Sequence, residues 1–138
     1  MTVNEARYEN DARRGDRGEW SAVDAHERAM SLPIEQVVKE LVTLLGLSTV
    51  AMIGGVGETR AVSQWGNGRN PQRPNVLRFT LQIASMILDD SDPDIARAWF
   101  HGSNPHLRDR APAVVLRDEP LAEVQGEIMA AARAFAGR

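Results

Sequence analysis

From Thr59 to Arg73 the chain reads TRAVSQWGNGRNPQR, and its polar residues are of the kinds that touch nucleic acid. Thr59, Arg60, Ser63 and Gln64 recur at the spacing of one helix face, and each carries donors or acceptors suited to base edges or phosphates. Val62 and Trp65 fall on the opposite side as apolar anchors. Asn67, Arg69 and Arg73 follow in a Gly- and Pro-containing loop, where guanidinium groups would reach phosphate oxygens beside the helix. The alternative for that loop is a solvated surface turn.

Other chemistries are poorly supplied. His101 and His106 lie five apart with Asp109 nearby, but no third ligand accompanies them, so no metal is expected and solvated loop residues are the better reading. LDDSDPD lacks the Gly and terminal Glu of a calcium loop. GGVG is not followed by Lys-Ser/Thr and no strand precedes it, which argues against a phosphate cradle. Paired carboxylates, a Ser-His-Asp set and a nucleophile elbow are missing. The expectation is a non-enzyme with no catalytic residues and no cofactor.

A reading helix needs a scaffold, and the flanking sequence offers one. LSTVAMIGGVG is a short helix, with Ser48 as its cap, running into a glycine turn; ETRAVSQW is the helix after it. Two short helices joined by a small-residue turn form the helix-turn-helix plan. Ala51 is the small residue at the crossing, and Gly55 or Gly57 supplies a positive φ cheaply. Counting from Ala51 and Gly55, Val62 and Trp65 come one position later than usual, which a one-residue insertion in GGVG would absorb.

Longer helices surround this unit. SLPIEQVVKELVTLLG carries Ile34, Val37, Val38, Leu41, Leu44 and Leu45 on one stripe, with Ser31 as cap, Pro33 in the first turn and Gly46 as terminator. NVLRFTLQIASMILDD buries Leu77, Leu81, Ile83, Ala84, Ile87 and Leu88. Asp92 caps PDIARAWF, HGSNPHLRDRAP is a loop, AVVL a helical turn, and PLAEVQGEIMAAARAFAGR a last helix with Leu121, Val124, Ile128, Ala131 and Phe135 on one side. No segment alternates with period two for long, so the fold class is all-α: a helix-turn-helix bundle followed by a small C-terminal helical region. The divisions are 1–30, a charged extension that is partly disordered, with 21–30 as a short helix; 31–90, the helix-turn-helix region; and 91–138.

Composition agrees. The chain has 138 residues, 43% hydrophobic but only 5% aromatic, so the core rests on aliphatic side chains. There is no cysteine, which excludes disulfides and thiolate chemistry. No apolar run approaches the ~18 residues of a membrane span, and the first residues are polar, so the expected location is the cytoplasm with no membrane partner. A net charge of -3 argues against a wholly basic nucleic-acid glove. Charge is nonetheless segregated: Arg60, Arg69, Arg73 and Arg78 face only Glu58 within 55–80, whereas Asp89, Asp90, Asp92 and Asp94 face only Arg97 within 86–104.

Two stretches carry a family resemblance. They are LGLSTVAMIGGVGETRAVSQWGNGRNPQRPN and ARAWFHGSNPHLRDRAPAVVLRDEPLAEVQGEIMAAARAF. The second has a Trp at a helix end (Trp99), an Asn-Pro pair (Asn104, Pro105), a Pro (Pro112) before a small apolar group (Val114 to Leu116), and a last helix. In these the chain resembles antitoxins with an Xre-like helix-turn-helix followed by an Xre/MbcA/ParS toxin-binding domain, over residues 32–138. The resemblance implies a protein that binds and silences a RES-domain-type, NAD-consuming toxin and represses its own promoter by binding operator DNA. It implies that the C-terminal end blocks the toxin's cleft, which by position is Ala131 to Arg138, with Arg133, Phe135 and Arg138 as contacts. Phe135 has the alternative of packing onto its own domain. Operator binding implies a homo-oligomer, for which leftover apolar residues on the last two helices are the expected interface. The rival reading is a stand-alone regulator or protein-protein adaptor with a degenerate helix-turn-helix and no toxin.

Overall fold

Pro74–Leu88 carries apolar residues at most of its positions from Val76 onward, and a helix so rich in apolar side chains is expected at the centre of its domain. The computed structural model, which describes residues 19–88 and 92–137, places it there. In chain order the helices are α1 (Glu19–Ser31), α2 (Ile34–Leu45), α3 (Leu47–Ile53), α4 (Thr59–Gly66), α5 (Pro74–Leu88), α6 (Pro93–His101), α7 (Pro112–Asp118) and α8 (Leu121–Ala136), with a 3₁₀ turn at Pro105–Leu107. Among the described residues there is no strand. The fold is all-α, as the periodicity requires. No helix among these residues is long and apolar enough to cross a membrane.

Helix α5 touches α1, α2, α3, α6 and α8. Its Leu77, Leu81, Ile83 and Ala84 are fully buried. Helix α4 packs on α2 and α3, and α7 packs on α3, α6 and α8. One continuous apolar core runs from Ala25 to Ala132, so the helix-turn-helix region and the C-terminal region are knit together.

The short helix expected at 21–30 is present and runs slightly further, over residues 19–31. It docks on α5 through Ala25 and Ala29, one turn apart. The small alanines permit close approach, while Val23 and Met30 stay exposed on the outside. The expected disorder of the first residues lies outside the described residues.

Two expected caps and the length of one helix also differ. Ser31 ends α1 instead of capping α2, whose N-cap is Pro33 without a side-chain bond. Ser48 lies inside α3, which starts directly after Gly46. AVVL is part of a full helix opened by Pro112, whose fixed φ suits the first turn. Asp92 caps as expected, its carboxylate accepting from Asp94 N (2.9 Å) and Ile95 N (3.2 Å).

Arginines close several helix C-termini, where carbonyls lack intrahelical donors. Arg78 of α5 donates to Ala29 O (2.8 Å) and Leu32 O (2.7 Å) at the end of α1. Arg97 of α6 donates to Leu44 O (2.8 Å) and Thr43 O (3.2 Å) at the end of α2. Arg78→Ala is expected to lower unfolding free energy by about 1.5–3 kcal/mol, the range for hydrogen bonds from a charged donor. A urea midpoint that does not fall would show that water replaces the guanidinium without cost.

Candidate nucleic-acid interface

Helices α3 and α4 meet across the turn 54–58, with Trp65 at the contact. Its indole, 5% exposed, lies on Gly54. A Cβ on Gly54 would stand 2.7 and 2.8 Å from two indole carbons and 3.0 Å from the Val50 carbonyl oxygen. Only glycine fits without displacement. Gly55 carries the positive φ, 79°, that reverses the chain. Ala51 is buried at 5%, in keeping with a close crossing. The two glycines thus divide the work, Gly54 admitting the ring and Gly55 making the turn.

Val62 (1% exposed) and Trp65 fix the inner face of α4. The outer face presents Thr59, Arg60, Ser63 and Gln64, all exposed, with Asn67 exposed just beyond. The chain then folds back over the helix end: Asn67 N and Arg69 N both donate to Gln64 O (3.1 and 3.0 Å). Arg69 is exposed there. Within the described residues, neither Arg60 nor Arg69 makes a side-chain hydrogen bond or ion pair. Six of the seven expected DNA-facing residues therefore share one exposed region.

Arg73 does not belong with them. Its guanidinium turns inward and donates to Ile53 O (2.9 Å) and Leu116 O (3.0 Å), with a longer bond to Arg117 O (3.3 Å). A fork holding the carbonyls of two helix ends is not available to a phosphate. Lys39 carries no signal in the sequence, yet its aliphatic chain passes Gly66 at the end of α4, at 3.8–3.9 Å from a Cβ placed there. Nothing local points to it, because it comes from the middle of α2. Anions also adjoin the surface: Glu58 immediately precedes α4, and Glu35 Oε2 approaches Gly68.

The expected toxin-facing residues are less unified. Arg133 and Phe135 are two apart on α8, which at ~100° per residue puts them on nearly opposite faces. Arg133 is exposed, whereas Phe135 is half-buried against Trp99 with ring centroids 6.4 Å apart. Arg138 lies outside the described residues. Beside Trp99 and Phe135 an open groove of about 570 Å³ runs between α6, α8 and the segment 102–106. Around it, Asn104 is buried and its carboxamide oxygen accepts from His106 N (3.0 Å).

His101 ends α6 rather than lying in a loop, and its Nε2 shares a 2.8 Å hydrogen bond with Thr49 Oγ1. His106 is exposed. Among the described residues no three His, Cys, Asp or Glu side chains converge as a metal site would need. At the end of α7, the hydrogen bond from Arg117 holds the Asp118 carboxyl below its ordinary pKa; burial opposes this in part, and the charges of Arg117, Arg110 and Arg73 add lesser downward pulls. Among the described residues the large exposed apolar side chains are Val23 and Met30 on α1, Leu47 on α3 and Ile95 on α6, so α8 supplies none of them. No protein-family model, curated protein or solved structure matches this chain.

Proposed function

We propose that the protein is an antitoxin-type regulator that binds operator DNA through α4 and neutralises a RES-type, NAD-consuming toxin through its C-terminal region. The observation that carries the DNA half is the outer face of α4. It presents Thr59, Arg60, Ser63 and Gln64 on a helix anchored by Trp65 over Gly54, with unpaired cations at Arg60 and Arg69. A short helix held rigidly on one side and polar on the other suits insertion into a major groove. The toxin half rests on the resemblance of residues 32–138 to Xre/MbcA/ParS antitoxins. A cytoplasmic location follows from that role.

Operator recognition by one small unit favours pairing across a two-fold axis. The exposed Val23 and Met30 on α1 are candidates for that contact. The rival reading, an adaptor without a toxin, draws support from the groove beside Trp99 and Phe135, since an apolar groove also suits a peptide partner.

Deleting Ala134–Arg138 tests the toxin half. The shortened protein is expected to fold and bind DNA, yet to give no protection to cells expressing the toxin encoded beside it. Phe135 covers part of Trp99, so Arg133→Glu serves as a second variant that leaves this packing intact; it is also expected to weaken protection. If both variants protect as well as the full chain, the tail is not the inhibitor, and the contact lies around Trp99 to Arg117.

A further inference from the structure

Arg73 ends the loop that follows α4, and its carbonyl accepts from Leu77 N (3.2 Å) in the first turn of α5. Its side chain runs back over the turn. A Cβ on Gly55 would lie 3.1 Å from Arg73 Cδ and 3.3 Å from Nη1. Beyond Gly55 the guanidinium divides: Nη1 donates to Ile53 O, the last residue of α3, and Nη2 to Leu116 O near the end of α7. Two helix C-termini thus converge on one cation. Each presents orphan carbonyls and the negative end of its dipole, so without a charge between them they repel.

We propose that Arg73 is a positioning residue that sets the pose of α4 by tying the turn before it to the C-terminus of α7. Displacement of α7 is then transmitted to α4. The consequence for DNA rests on the reading of α4 given above; the mechanical coupling does not. A planar fork with donors at fixed angles holds both carbonyls while its stem passes close over Gly55, and a lysine ammonium cannot reproduce that geometry. Through this link, a protein partner that moves α7 alters the exposed face of α4 without touching it, and so regulates DNA affinity.

Hydrogen exchange on the full chain tests the coupling without DNA. In Arg73→Lys, amides of residues 54–66 are expected to exchange about tenfold faster or more, while those of α5 keep their protection, because opening would be local. Val115→Ala, which opens a void at a residue 3% exposed in α7, is expected to loosen 54–66 as well. In the double variant it should add nothing there, since the link is already broken. The proposal is overturned if Arg73→Lys leaves 54–66 unchanged, or if α5 loses protection equally. It is also overturned if Val115→Ala loosens α7 alone. A failed DNA-binding assay would remove the operator reading and leave this result standing.

Discussion

Trp65→Ala is expected to cost about 3–5 kcal/mol of folding stability, the range for removing a large aromatic from a packed site. That is a large part of the ~5–15 kcal/mol that holds a typical domain together. The indole lies on Gly54 at the end of α3, and Val62 and Trp65 are the buried side chains of this short helix. Gly54→Ala is expected to cost about 1–3 kcal/mol by overpacking, because its methyl meets the indole at 2.7 Å. The two changes should couple. In the Trp65→Ala background the methyl enters a void, so its cost should shrink or change sign, and denaturant titration of the four proteins measures this directly. An equal cost in both backgrounds would mean that the Val50 carbonyl, not the ring, demands glycine at position 54.

The second large effect concerns DNA. Removing both Arg60 and Arg69 should reduce the salt dependence of binding by about two units of slope, near -0.9 for each phosphate that is no longer neutralised. Affinity should fall for all sequences alike. Gln64→Ala should instead alter sequence preference, with about 1–3 kcal/mol of discrimination at one base pair. Arg73→Ala provides the contrast. Its guanidinium holds Ile53 O and Leu116 O, so affinity should drop while the slope stays as in the wild type. Gel-shift series on the upstream DNA at graded salt separate these cases. Failure of the wild-type protein to bind at about 50 mM salt, where phosphate binding is strong, removes the operator reading altogether.

Much of the candidate surface was legible in the linear chain. Thr59, Arg60, Ser63 and Gln64 fall on one side and Val62 and Trp65 on the other because a helix repeats every ~3.6 residues, whatever surrounds it. Glycines at the turn were legible as a group, since a reversal between two short helices needs one. Their separate tasks were not, because the space beside Gly54 is defined by a ring eleven residues further along. The place of Lys39 was hidden for the same kind of reason: it reaches the end of α4 from a different helix.

Local chemistry by itself determined the all-α class, the extents of α2, α5 and α8 to within a few residues, the Asp92 cap and the amphipathic character of α4. Each of these depends on neighbours a few positions away. Tertiary structure decided what the arginines do. Arg60 and Arg69 remain exposed, while Arg73, Arg78 and Arg97 turn to helix ends that lie 20 or more residues away in the chain. A guanidinium on a long flexible stem suits phosphate and carbonyl equally, and only the arrival of a helix C-terminus within its reach selects between them. Tertiary structure likewise docked α1 on α5 and laid Phe135 against Trp99, because both depend on where a distant apolar surface remains uncovered once the central helix has been surrounded.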